Sequence, residues 1–150
     1  VISIIVQLCD ILSYLHGHTP PIIHRDIKPQ NIIIDNNDKI KLIDFGISRI
    51  FDKEAKADTV FFGTQEFSPP EQYGFSQTDC RSDIFSLGVV LCWMLTGETN
   101  MDIAAGRIQN RQLARIVRRC TAFAPKDRYA DAGTAKKVLL RAHMVRTPIR

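Results

Sequence analysis

His24-Arg25-Asp26-Ile27-Lys28-Pro29-Gln30-Asn31 is a polar stretch set between two isoleucine runs, Ile22-Ile23 before it and Ile32-Ile33-Ile34 after it. It has neither helical nor strand periodicity, and Pro29 cannot donate to a backbone ladder. The second run leads into Asp35-Asn36-Asn37-Asp38 and then Ile40 to Ile43. Two apolar runs joined by Asp and Asn predict a β-hairpin, because those side chains bond nearby backbone and tolerate left-handed turn geometry. A second polar piece, Asp44-Phe45-Gly46, follows the hairpin, thirteen residues after Asn31. A hairpin returns the chain to its starting end, so Asp26, Lys28, Asn31 and Asp44 are expected to converge there.

Outward from this centre the pattern is helical. Ile4, Ile5, Leu8, Ile11, Leu12 and Leu15 recur at spacings of three and four, predicting a helix over 1–16 that Gly17 and Pro20-Pro21 end. Residues 44–67 lack periodicity and are expected to form a long loop, a length usually kept for function. Residues 82–96 are apolar on nearly every side, which predicts a central buried helix. Leu113, Ile116, Val117 and Cys120 mark another helix, and Ala135, Val138, Leu139 and Ala142 mark the last. The expected class is α+β: a mostly helical unit with one small hairpin beside its polar loops.

Composition narrows the classes of function. The chain has 150 residues, 45% hydrophobic and 24% charged, as in an ordinary globular domain. The longest apolar run, Ile84 to Leu95, falls short of the roughly 20 residues a bilayer-spanning helix needs. The start has no basic segment of a signal peptide, and it lies inside a helical pattern beginning with Val1, so a piece of a longer protein is expected. Cys9, Cys80, Cys92 and Cys120 form no close pair and sit mostly in apolar helical patterns, which predicts buried reduced thiols and a cytoplasmic setting. His16, His18, His24 and His143 make no zinc signature. Charge is split: residues 1–106 hold 8 basic and 14 acidic side chains, net −6, and residues 107–150 hold 12 basic and 2 acidic, net +10. A nucleic-acid binder would pair that basic third with clustered stacking aromatics, and only Phe123 and Tyr129 lie there, so no nucleic-acid partner is expected.

The four converging residues suit phosphoryl transfer. Asp44 and Asn31 offer the hard oxygen ligands that Mg²⁺ takes beside a nucleotide's phosphates. A carboxylate such as Asp26 can orient a hydroxyl nucleophile and accept its proton, and a cation such as Lys28 stabilises charge developing on the transferred group.

H-R-D-I-K-P-Q-N followed at this spacing by D-F-G resembles the catalytic loop and metal-binding motif of the protein kinases. Gly63-Thr64 and Pro69-Pro70-Glu71 resemble the end of their activation segment, and Asp83-Ile84-Phe85-Ser86-Leu87-Gly88 the start of their central helix. The style of Gly63 to Tyr73 resembles bacterial-type serine/threonine kinases. The resemblance implies the large, C-terminal lobe of a serine/threonine protein kinase domain over residues 1–143, the small lobe being absent, with 144–150 a basic tail or linker. It implies ATP and Mg²⁺ as cofactors and a protein with Ser or Thr as substrate. Asp26 is similar to the catalytic base. Asn31 and Asp44 are similar to the metal ligands, and Lys28 to the lysine beside the transferred phosphoryl group. Thr64 is similar to the residue bonding Asp26 and Lys28. The resemblance makes His24 and Phe45 members of a regulatory hydrophobic spine, with Gly46 completing the metal motif. It implies that Asp83 braces the catalytic loop and that Arg128 pairs with Glu71. Arg25 is similar to the arginine of kinases switched by phosphorylation of the activation segment, with Thr59 the candidate acceptor.

The sequence departs from the family pattern in places. Pro69 stands where Ala is usual, Phe85 where Trp or Tyr is common, and the stretch from Gly97 to Arg107 is short. The family's glycine-rich loop and paired lysine, which precede the catalytic loop, are not among these residues, so the chain by itself is expected to be inactive. The competing reading is a pseudokinase or scaffold module, which usually loses the base or a metal ligand; here Asp26, Lys28, Asn31 and Asp44 are all kept. Arg111, Arg115, Arg118 and Arg119 are expected on solvated helix faces. The basic end, Arg141, Arg146 and Arg150, is a linker or lies near a membrane surface, with any anchor outside this chain.

Overall fold

The computed structural model describes residues 1–46, 48–51, 54, 65–74, 77–104 and 106–144. The first helix, α1 (Ile2–His16), buries Ile5, Leu8, Cys9, Leu12 and Leu15, the stripe that its spacing predicts. Gly17 closes it, donating its N–H to the Ser13 carbonyl at 3.0 Å. Strand β1 (Ile22–Ile23) leads into the polar stretch. The hairpin forms as β2 (Ile32–Ile34) and β3 (Ile40–Leu42), with Ile32 opposite Leu42 and Ile34 opposite Ile40. Its turn is held by the Asp35 carboxylate, which accepts from the N–H groups of Asn37 (2.8 Å) and Lys39 (2.9 Å). Those donors hold the Asp35 carboxyl below its ordinary range. Gln7 of α1 grips the turn from below, donating to the Asp38 carbonyl at 2.8 Å and accepting from the Ile40 N–H at 3.2 Å.

Residues 44–67 are not the plain loop their composition suggests. Arg49–Ile50 form a further strand, β4, antiparallel to β1, and Gln65–Phe67 form a 3₁₀ turn. A strand of two residues is too short to show any alternation, so only its partner reveals it.

Helix α2 (Cys80–Thr96) begins two residues before the apolar run because its cap is Asp79. The Asp79 carboxylate accepts from the Arg81 N–H at 2.7 Å, and the Asp79 N–H donates to Ser82 Oγ at 3.2 Å, a reciprocal capping box. Gly97 closes the helix in the left-handed region, φ +75°. A short helix α3 (Met101–Ala104), α4 (Arg111–Cys120) and α5 (Ala132–Met144) follow. Helix α5 reaches Met144, one residue past the expected end of the lobe. Helix α2 runs through the middle with Ile84, Leu87, Val90 and Leu91 buried, packed on α4, while α1 lies along α5. Val90 lies in the core, and Met94 packs half-buried against it. The cysteines are free, and Cys9, Cys92 and Cys120 are buried; Cys80 is not.

The crossing of α2 and α4 depends on Gly88. A Cβ there would overlap Cys120 Cβ and come within 3.0 Å of Thr121 Cγ2. Both obstacles sit on a packed helix end that cannot swing aside. Gly88→Ala is expected to destabilise the chain by about 1–3 kcal/mol through overpacking, read as a lower urea unfolding midpoint. An unchanged midpoint would mean that the crossing is looser than described.

Candidate active site

The polar stretch 24–31 has little regular structure, so something else must hold it. That holder is Asp83, fully buried in the first turn of α2. Its Oδ2 accepts from the His24 N–H and its Oδ1 from the Arg25 N–H, both at 2.9 Å. Arg25 adopts φ +71°, a left-handed conformation that costs a non-glycine residue on the order of 1–3 kcal/mol. The paired hydrogen bonds to Asp83 offset that cost, and Gln72 adds a third by donating Nε2 to the Arg25 carbonyl at 2.8 Å.

His24 ties the stretch to the far end of the hairpin. Its Nε2 bonds the Ile43 carbonyl at 3.2 Å, and its Nδ1 accepts from the Asp26 N–H at 3.3 Å. The His24 ring meets the Phe45 ring edge to face, centroids 4.8 Å apart, with His24 buried and Phe45 half-exposed. The Ile43 N–H donates to the Asn31 carbonyl at 2.9 Å, which sets Asp44 beside Asn31. The expected convergence is therefore present.

Within the cluster, Lys28 Nζ lies 3.0 Å from Asp26 Oδ2. Asn31 donates Nδ2 to the Asp26 carbonyl at 2.8 Å and to Asp26 Oδ2 at 3.1 Å. With its nitrogen spent on Asp26, the oxygen of the Asn31 amide is the atom left to face a cation. Asp44 is exposed, at φ +63°, and the Gly46 N–H approaches its Oδ1 at 3.3 Å. Two hard oxygen donors side by side fit Mg²⁺, which keeps waters and phosphate oxygens as its remaining ligands. Among the described residues no group of three or more His, Cys, Asp and Glu could hold a metal alone, so this pair would need such a shared shell. Thr59 and Thr64 lie outside the described residues, as does the position of any phosphate relative to Arg25.

A second buried charge pair sits below the loop. Arg128 donates Nη1 to Glu71 Oε1 at 2.6 Å and Nη2 to Glu71 Oε2 at 2.9 Å. Its remaining N–H groups go to the carbonyls of Ala122, Arg81 and Phe123. All five donors of the guanidinium are thus used, and its Cζ stands 4.9 Å from the Phe85 ring centroid. Ser82 Oγ adds a bond to Glu71 Oε1 at 2.8 Å, so the same residue caps α2 and steadies the pair.

His16 is the residue that motif reading passed over. Its Nε2 lies 2.8 Å from Asp83 Oδ2, with its side chain only 7% exposed, so it completes the bracket around the carboxylate. Burial works against the charged ring, but hydrogen bonding and charge from Asp83 and Cys80 outweigh it and raise its pKa from 6.5 to about 9. The only sequence signal is position: the last turn of α1, one helical turn after Leu12.

A helical lobe that presents a braced polar loop and a hairpin-borne carboxylate at one edge defines the class. The protein kinase domain model matches residues 1–144, and the chain belongs to the protein kinase family. Over 169 residues, 98% of this chain, it is 32% identical to the serine/threonine-protein kinase PknB of Mycolicibacterium smegmatis, covering 27% of that protein. The PknB of Mycobacterium leprae is 32% identical over 168 residues, with the same coverage of 98% and 27%. A probable LRR receptor-like serine/threonine-protein kinase of Arabidopsis thaliana is 45% identical over 94 residues, 61% of this chain and 11% of that protein. The chain thus spans about a tenth to a quarter of these relatives.

Two tests follow from the buried pairs. Glu71→Gln leaves Arg128 buried beside a neutral group and is expected to cost about 3 kcal/mol or more in urea unfolding. A loss under 1 kcal/mol would show the pair to be solvated. For His16, a pKa raised on folding gives stability that is full below pH 6.5 and is lost as pH rises through about 9. The stability gap between wild type and His16→Gln should therefore shrink, by on the order of 3 kcal/mol, across that window. A gap independent of pH would contradict a charged His16.

Proposed function

We propose that the chain is the large lobe of a serine/threonine protein kinase that transfers the ATP γ-phosphoryl group to a Ser or Thr of a protein substrate. The observation that carries this reading is the Asp26–Lys28–Asn31 cluster beside Asp44, with Lys28 Nζ 3.0 Å from Asp26 Oδ2. Bound ATP and Mg²⁺ would supply the phosphoryl group and neutralise its charge, with Asn31 and Asp44 holding the metal. Asp26, kept in register by Asn31, orients the substrate hydroxyl and takes its proton as the oxygen attacks. Lys28 faces both Asp26 and the transferred group, so its charge meets the negative charge that builds there. Thr64, outside the described residues, would by the family resemblance be the residue that bonds this pair. Retention of all four residues supports catalysis over a scaffold role.

Adenine and the outer phosphates are covered by a second lobe that is not among these residues, so the isolated chain does not turn over. Arg25 belongs to a basic pocket for a phosphate on Thr59. The free thiols fit a cytoplasmic setting, and among the described residues no helix is long and apolar enough to cross a membrane.

In a polypeptide that joins this chain to its nucleotide-covering lobe, Asp26→Asn and Asp44→Asn are each expected to lower kcat at least 100-fold with Mg²⁺, ATP and a Ser-containing substrate. Circular dichroism should show both variants folded. Near-normal turnover in either would overturn the role given to that residue. The chain alone should incorporate no more phosphate than its own Asp26→Asn variant.

A further inference from the structure

Helix α4 carries a charge pattern that the fold itself does not use. Residues 107–150 hold 12 basic and 2 acidic side chains, and neither α4 nor α5 contains an acid. Arg111 is the first residue of α4, where the helix dipole disfavours a cation. Arg115 follows it by four residues and precedes Arg119 by four, and like charges at that spacing repel on a helix surface. The acids nearby are committed or apart. Asp131 accepts from the Thr134 N–H at 2.6 Å at the start of α5, Asp127 lies in a 3₁₀ turn, and Asp10 of α1 is taken by Lys136 at 2.6 Å. Arg119 has the Tyr129 ring beneath it. Among the described residues, Arg111, Arg115, Arg118, Lys137 and Arg141 form no ion pair and no side-chain hydrogen bond.

The second observation is a groove. Gln112, Arg115 and Ile116 of α4 and Val138, Arg141 and Ala142 of α5 line one cavity of about 210 Å³. Ile116 and Ala142 are buried and Val138 is half-buried, so these three make an apolar floor. Gln112, Arg115 and Arg141 are exposed at the rim, with one guanidinium from each helix.

We propose that the α4–α5 groove docks an acidic peptide segment of a partner protein. Its carboxylates pair with Arg115 and Arg141, and an apolar side chain between them rests on the floor. Guanidinium forks bind carboxylates in a bidentate way, and arginine clusters are a recurring means of reading acidic motifs. Carboxylates at this rim also relieve the repulsion along α4, which nothing on α4 or α5 does. A nucleic acid has no apolar side chain for the floor. A flat bilayer meets the rim and not the floor, although exposed Leu140 and Met144 on α5 make vesicles the competing arm of the test. The groove shares no residue with the cluster around Asp26, so docking here neither uses nor blocks phosphoryl transfer.

The test titrates the purified chain into a fluorescein-labelled peptide of repeated Glu-Glu-Leu units and follows its anisotropy. Saturable binding is expected, weakened by added salt and absent for the Gln-Gln-Leu counterpart. Arg115→Glu and Arg141→Glu are each expected to weaken binding about ten-fold or more. Lys41→Glu, at an exposed hairpin position, makes the same change of charge and should shift binding less than about two-fold. Both arginines are exposed, so circular dichroism should show the variants folded, and either folded variant decides. Absence of saturable binding overturns the proposal. So does an equal loss with Lys41→Glu, which would mean bulk charge attraction. Phosphatidylserine vesicles that sediment the chain while the peptide fails to bind would also overturn it, in favour of a lipid surface.

Discussion

One buried carboxylate organises the lobe. Asp83 accepts the His24 and Arg25 N–H groups and pairs with His16, all within 2.9 Å. A carboxylate without partners at that depth would be strongly unfavourable, and a loop with a left-handed arginine would relax if released. Each problem is the other's solution. The loop satisfies the charge, and the charge fixes the loop on the most deeply buried helix. Everything the loop presents inherits its position from that contact.

Position then passes outward through short bonds. From the braced backbone at His24 and Arg25, His24 reaches Ile43 and Asp26, Asn31 reaches Asp26, and Ile43 reaches Asn31. The hairpin closes that circuit and is itself pinned to α1 by Gln7. Farther down, Glu71 and Arg128 lock the segment after the activation region to the loop before α5. A kinase-type site needs its base, cation and metal ligands held in fixed geometry, and these charges are braced from the helical core rather than from the surface.

The uneven charge along the chain has a plain explanation in this frame. Several acidic residues of the first part are committed: Asp83 and Glu71 inside, Asp26 beside Lys28, Asp79 as a helix cap. Arg111, Arg115, Arg118 and Arg119 of α4 face outward while Leu113, Ile116, Val117 and Cys120 face the core. Arg119 lies over the Tyr129 ring at 4.5 Å. Among the described residues of that third, Arg128 is the one basic side chain that is drawn fully inside.

Residue order alone determined the helices with long repeats, the hairpin, and the convergence of Asp26, Lys28, Asn31 and Asp44, because periodicity and turn chemistry act over neighbouring residues. The family pattern added Asp83 and the Glu71–Arg128 pair. Only the tertiary structure revealed the β1–β4 pairing, whose two-residue strands carry no alternation, and the start of α2, which a polar cap sets rather than the apolar run. It alone brought His16 to Asp83 across 67 residues of sequence. A lone histidine at a helix end has no local signature. Its partner and its charge are decided by packing and burial, which exist only once α1 and α2 have met.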